Sequence, residues 1–262
     1  MNVVLRLAAS LALVAGALVS SAPAHAEEGP TAEQIAARMV RGTGFQWEGA
    51  KTRLRMVLVD AGGARSERML EVIGRRREGR LESVVKFLGP ADVAGTAFLM
   101  LEKAGGATEQ HIYLPGLKRT RRIVGREREG SFMGSDFTYQ DLQRKDDPGA
   151  KHQRLPDEPV GSEDAWVLET TPSSVEAAGH SKLRAWVRKT DSVALRTRFF
   201  DAAGKPKKTL YVRRIREFEG KPVVVEARMQ SEGGHATELV VDTLERKDDL
   251  PDSAFTPAAL ER

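Results

Sequence analysis

The residues able to do covalent chemistry are few and far apart. Beyond residue 26 the chain has four histidines, His111, His152, His180 and His235, and it has no cysteine anywhere. A serine nucleophile needs a strained turn of the G-x-S-x-G kind with a histidine and a carboxylate to serve it, and no such motif occurs. The histidines follow no H-E-x-x-H pattern and share no ligand spacing, so they predict no metal site. Asp146-Asp147 and Asp248-Asp249 are adjacent carboxylates, but neighbours in extended chain point to opposite faces and make no acid/base pair. No glycine loop has the spacing to cradle a phosphate. The residue types therefore predict neither an enzyme nor a cofactor.

What remains is charge and grease. Arg75-Arg76-Arg77, Lys118 to Arg122 and Arg213-Arg214-Arg216 are basic clusters. Positive charge on strand edges, which discourages edge-to-edge aggregation, is one explanation for them. The second cluster sits in Tyr113 to Leu142, YLPGLKRTRRIVGREREGSFMGSDFTYQDL, where a basic strand leads into an aromatic loop punctuated by glycine. This stretch reads as a gate: Arg119, Arg121 and Arg122 would line a mouth, paired with Asp136 or Asp141 when empty. When loaded they would meet an anionic headgroup or an acidic partner surface.

The same stretch carries a resemblance. Tyr113-Leu114-Pro115, the basic run, and Phe132, Met133, Gly134, Ser135, Asp136, Phe137, Tyr139, Asp141 and Leu142 are similar to the signature of the outer-membrane lipoprotein-sorting (LolA-like) family. Phe87, Pro90, Asp92, Gly95, Thr96, Phe98 and Leu99 upstream resemble it too, as do Leu183 to Val187, Lys189, Asp191, Leu195 and Phe200 downstream. The resemblance implies a strongly curved antiparallel sheet, an unclosed β-barrel, with helical segments and a loop lid over its mouth. It also implies an apolar cavity for acyl chains, with an inner-membrane transporter and an outer-membrane acceptor as partners. Cargo ranging from lipoproteins to other envelope lipids fits this branch.

Met1 to Ala26 reads as a secretory signal, with Arg6, an apolar run from Leu7 to Val19, and Ala24-His25-Ala26 as the cleavage site. The apolar run falls short of the roughly 20 residues that a spanning helix needs, so no stable membrane span is expected after cleavage. With no cysteine for a lipid anchor or a disulfide, the exported chain is expected to be periplasmic and to depend on its core. Cleavage leaves 236 residues, 27–262, which suit a single all-β domain. Of 41 Lys+Arg and 37 Asp+Glu, removal of Arg6 leaves 40 against 37. That excess is too mild for a nucleic-acid partner.

The elements that must position the gate follow from period. Thr31 and Gln34 form a capping-box pattern ahead of a helix to about Arg41, with Ile35 and Met39 on its apolar stripe. From Lys51 onward Leu54, Met56 and Leu58 alternate with Arg53, Arg55 and Val57, the period of a half-buried strand. Similar segments recur at Arg68 to Ile73, Leu81 to Leu88, Thr96 to Leu101, Glu109 to Leu114 and Trp166 to Thr170, and then at Lys182 to Lys189, Ala194 to Phe200, Thr209 to Ile215, Val223 to Met229 and Thr237 to Leu244. Gly- and Pro-rich turns separate them, which predicts a mainly β meander with few helices. The polar segment 145–160 reads as a long exposed connector loop, and a short helix is expected after Thr138 with Asp141 in its first turn.

A sheet this wide curls, and two short helices cover little of its inner face. Leu54, Met56, Leu58, Val85, Phe87, Phe98, Leu183 and Val187 are expected on that face, with Phe132, Met133, Phe137 and Tyr139 as the lid. An ordinary core plug without ligand space fits the pattern as well. Two functions stay open at this stage. One is a carrier that shields acyl chains across an aqueous space, and the other is a non-carrying interaction subunit of a cell-envelope complex.

Overall fold

A computed structural model of the 262-residue chain describes residues 29–43, 47–143 and 147–262. The signal-peptide expectation for Met1 to Ala26 lies outside the described residues. Thr31–Arg262 form one compact unit.

That unit opens with helix α1 (Ala32–Thr43). The capping box is made as the sequence predicts: the Thr31 amide donates to Gln34 Oε1 at 3.0 Å, and the Gln34 amide donates to Thr31 Oγ1 at 3.3 Å. The helix runs through Gly42, which stands too close to the Ser192 and Asp191 carbonyls for any Cβ to fit.

Thirteen antiparallel strands follow in one sheet that does not close into a barrel. They are β1 (Gly49–Val59), β2 (Arg65–Arg77), β3 (Arg80–Gly89), β4 (Ala97–Glu102), β5 (Thr108–Leu114), β6 (Arg119–Arg122) and β7 (Lys151–Leu155). The remainder are β8 (Ala165–Thr171), β9 (Lys182–Arg188), β10 (Ala194–Phe200), β11 (Pro206–Phe218), β12 (Lys221–Ser231) and β13 (Ala236–Arg246). The spatial order is β6-β5-β4-β3-β2-β1-β13-β12-β11-β10-β9-β8-β7. Each half is a meander, and β1 and β13 join the halves in the middle.

Two sequence expectations are corrected here. The segment 145–160 is not all connector, because Lys151–Leu155 pairs with β8 as an edge strand. Its sequence KHQRL has too little apolar alternation to announce a strand, whereas the basic strand expected ahead of the aromatic loop is present as β6. After Thr138 there is a turn and not a helix: the Asp141 amide donates to the Thr138 carbonyl at 3.0 Å, and Asp141 Oδ2 accepts the Thr138 amide at 2.6 Å. A four-residue helix α2 (Val175–Ala178), unforeseen in the sequence, is capped by Ser174.

Register shows which residues share a face. Partners run from Leu58 to Thr237, Met229, Leu210, Thr197, Ala185 and Leu168 across seven strands, so the apolar residues of β1 and of β8–β9 face the same way. At one end of this face α1 covers Trp166, Leu168, Ala185 and Val187 with Ile35 and Ala36. At the other end lies a larger cluster around Met56, Leu70, Phe87, Phe98 and Ile112. The opposite face is mostly wet and is tied by cross-strand ion pairs, among them Arg53 with Glu71, Arg55 with Asp242 and Arg228 with Glu238. Its ends are covered, by Phe255 and Leu260 of the C-terminal segment over Leu99 and Leu101, and by Val160 beside Trp186.

Candidate functional site: a plugged apolar face

Residues 131–141 form a small hairpin that lies on the inner face. The Phe132 amide donates to the Phe137 carbonyl at 2.7 Å, and the Ser135 amide donates to the Phe132 carbonyl at 3.0 Å. Met133 and Gly134 therefore occupy the two centre positions of a turn at φ 51° and 77°, the left-handed pair of a type I′ hairpin. Glycine takes this conformation freely and methionine does so at a cost, which is why asparagine, aspartate or glycine is the usual residue at the first position.

The turn delivers aromatic rings to the sheet. Phe132 stands 5.9 Å from Phe87, 5.3 Å from Phe98 and 5.5 Å from Tyr139, ring centre to ring centre. These separations and tilted or edge-on geometries are those of favourable aromatic pairs. Burial pushes the Tyr139 hydroxyl above its ordinary pKa, which keeps it a neutral phenol.

Polar fasteners then hold the hairpin from five elements. Arg68 of β2 donates to the Met133 carbonyl, and Gln110 of β5 donates to the Tyr139 carbonyl at 2.7 Å. Lys208 of β11 donates to the Asp136 carbonyl at 3.0 Å and pairs with the Asp141 carboxylate. Thr237 of β13 gives its hydroxyl proton to Asp136 Oδ2 at 2.7 Å and accepts the Asp136 amide at 2.9 Å. Gln140 reaches the carbonyls of Glu176, at 3.0 Å, and of Ala177 in α2.

The expected inner-face and lid residues fall into two groups. Leu54, Met56, Leu58, Val85, Phe87 and Phe98 meet Phe132, Met133, Phe137 and Tyr139 in one cluster. Leu183 and Val187 face the same way but belong to the separate cluster under α1. The expected pairing of the β6 arginines with Asp136 or Asp141 is not found. Arg121 pairs with Glu127 at 2.8 Å, Arg122 stands 3.9 Å from Glu109, and Arg119 is exposed, while both aspartates are engaged by Lys208 and Thr237. Lys208, Thr237, Gln110 and Gln140 were not found by sequence reasoning. Each reads as an ordinary polar residue in or beside a strand, and only the three-dimensional fold aims it at the hairpin.

The hairpin does not cover the whole apolar face. Val212, Ala227, Val241, Leu54, Val72 and Val85 remain half-buried on β11, β12, β13, β1, β2 and β3. Register places Val212 opposite Ala227, Leu54 opposite Val241 and Val72 opposite Val85, so these residues share the inner face, with Leu54 and Val85 packed at the edge of the plug cluster. A separate cleft of about 470 Å³ runs along the plug margin, where Arg128, Glu129, Gln140 and Asp147 alternate with Ala107, Ala177 and Ala178. Among the described residues no group of three His, Cys, Asp or Glu could hold a metal ion. No described helix is long and apolar enough to cross a membrane.

A half-open sheet with one greasy face and a loop seated on it defines a class of binding folds, and the comparisons name that class. A domain from Vibrio parahaemolyticus assigned to outer membrane lipoprotein sorting is 31% identical, with a TM-score of 0.80; the match covers 88% of this chain and 98% of that one. A DUF1329 family protein from Desulfovibrio piger is 27% identical with a TM-score of 0.80, over 86% of this chain and 96% of the other. The LolA superfamily protein NE2245 from Nitrosomonas europaea, at 20% identity and a TM-score of 0.68 over 87% of this chain and 98% of its own, shares the fold. A family model of uncharacterized proteins matches residues 79–262. No curated protein matches the sequence. The chain belongs to the outer-membrane lipoprotein-sorting, LolA-like family.

Proposed function

We propose that this protein is a periplasmic carrier, exported with cleavage after Ala26, that holds the acyl chains of a lipoprotein or another envelope lipid. It receives them from an inner-membrane transporter and passes them to an outer-membrane acceptor. The observation that carries this reading is the set of half-buried apolar residues on the inner face, Val212, Ala227, Val241, Leu54, Val72 and Val85. Apolar surface left partly wet is a cost to the empty protein, and an alkyl chain laid on it removes that cost. Each methylene taken from water contributes about 0.8 kcal/mol, so six methylenes supply roughly 5 kcal/mol before ordering costs. Swinging the hairpin aside would add the surface of Phe87 and Phe98 to the site. The assignment to sorting of the Vibrio relative supports the same class of cargo. The residues perform no bond-breaking step in this reading, because binding and release are the whole activity.

Gentle purification followed by native mass spectrometry tests it, with a fluorescent fatty-acid probe as a second readout. Co-purifying lipid and saturable probe binding that Val85→Glu weakens at least tenfold are expected. A ligand-free protein that binds no probe would reject the carrier and leave an interaction subunit as the function.

A further inference from the structure

The plug is continuous in sequence with the most basic exposed ribbon of the molecule, residues 117–126, LKRTRRIVGR. This ribbon contains β6, the last strand on one side of the sheet. Lys118, Arg119, Arg121, Arg122 and Arg126 are all exposed along it. Glu127 engages Arg121 and Glu109 lies near Arg122, but among the described residues no carboxylate pairs with Lys118, Arg119 or Arg126.

Two aliphatic side chains stand out of the same ribbon. Leu117 is 68% exposed and Val124 is 50% exposed, the former at the hairpin tip before β6 and the latter just after it. They are seven residues apart, on either side of β6. Between them only Ile123 is fully buried, so it anchors the ribbon to the core while the rest stays outside. Edge protection accounts for arginines on a strand edge, yet it does not account for bare Leu and Val at both ends, which invite association.

We infer that residues 117–126 are a docking surface for an anionic lipid bilayer. The cations sit at the level of the headgroup phosphates, and Leu117 and Val124 enter the boundary of the acyl region. Unlike an acidic protein segment, a bilayer satisfies the charges and the two separated aliphatic side chains at once. Docking here also places the plug near the bilayer, since Gly125 and Arg128 border its cleft and the Gln140 amide donates to the Arg128 carbonyl at 2.9 Å. The inference stands beside the carrier reading and does not need it.

Co-sedimentation of the full chain with vesicles of phosphatidylglycerol in phosphatidylcholine, and with pure phosphatidylcholine, tests it. Binding to the anionic vesicles is expected to weaken steeply between low and high salt. Each cation near an anionic surface contributes about fivefold in partitioning, so Lys118→Gln with Arg119→Gln is expected to lower it roughly 25-fold. Leu117→Ser should lower it severalfold. Arg214→Gln, a change on the ion-paired opposite face, should leave it unaltered. Equal binding to neutral vesicles, no vesicle binding, or unchanged binding by the double variant would overturn the inference, as would binding only to an acidic protein. Fatty-acid probe binding by the same variants keeps the two ideas apart: its loss in all proteins with vesicle docking intact rejects the carrier alone.

Discussion

Lys208 and Asp141, 67 residues apart in the chain, meet beneath the plug in an ion pair whose side chains are only 7% and 13% exposed. The lysine also holds the Asp136 carbonyl, so one cation fixes both ends of the turn that follows Ser135. Packing by aromatic rings is tolerant of sliding, whereas a shielded ion pair with hydrogen bonds is directional. The pair therefore sets where the hairpin sits, and the rings supply the adhesion.

Removing one partner leaves a shielded charge without compensation, which is the expensive way to break such a pair. Lys208→Met is expected to lower stability by about 3 kcal/mol in urea denaturation, with little change in the slope of the transition. Lys208→Met combined with Asp141→Asn keeps an acceptor for the Thr138 amide and removes the orphaned charge, so it should recover a good part of that loss. Equal losses in the single and double variants would show that the pair is not what holds the hairpin.

The rings make a separate prediction. Phe132 is 2% exposed and touches Phe87, Phe98 and Tyr139, so Phe132→Ala opens a void in the densest part of the cluster. A stability loss of about 3 kcal/mol is expected from buried area and cavity together. Because half-buried Leu54 and Val85 pack on the same cluster, the variant should also bind longer acyl probes with a smaller penalty than the parent protein does. A variant of unchanged stability would mean that the hairpin is not seated on the sheet in solution.

Much of this was legible in the sequence. The period-two residues Leu54, Met56 and Leu58 identify the inward face of β1, and the same alternation locates Phe87, Phe98 and Val187 correctly on the face that the sheet buries. The Thr31 and Gln34 cap is likewise a local signal, and it is made as written. What was not legible is non-local. β7 is held by pairing to β8 and carries no pattern of its own. The partners of Asp136 and Asp141 come from strands 67 to 101 residues away, and nearby arginines are the more obvious candidates on paper. The turn at Met133-Gly134 is a third case, since its first left-handed residue lacks the glycine or asparagine that would betray it.

A conformational prediction follows from that turn. Gly134 adopts φ 77°, a region that disfavours a Cβ, and its nearest neighbour is Arg68 Nη2 at 3.9 Å, so space is not the limit. Gly134→Ala is expected to destabilise by about 1 kcal/mol through backbone strain alone, and Met133→Gly should relieve strain while giving up contacts of the side chain. Hydrogen exchange at the Ser135 amide, which donates to the Phe132 carbonyl at 3.0 Å, reports the turn directly. Faster exchange in Gly134→Ala than in the parent is the expected result, and identical exchange would mean that this amide is not held by the turn.

The acid limb of stability is set by carboxylates that lie between paired cations on the sheet. Burial alone would raise Glu169, but the hydrogen bonds and charges of Arg184, at 2.7 Å, and Lys182, at 3.2 Å, outweigh it and hold the carboxyl below its ordinary value of 4.5. Glu238 is lowered in the same way against its own burial by Arg65 and Arg228, and Asp191 by Arg188 and the Val193 amide. A carboxylate depressed in the folded state binds its proton more readily when unfolded, so its contribution is complete above the unfolded value and is lost as pH falls through the folded one. The melting temperature is therefore expected to stay level from about pH 8 to pH 5 and to decline below about 4.5, with no matching loss on the alkaline side of that window. Glu169→Gln should start from a lower plateau and show a shallower acid decline, because the titrating group has been removed along with its favourable charge. If that variant declines as steeply as the parent, the acid sensitivity belongs to other carboxylates, and Glu238 with its two arginines becomes the next position to neutralise.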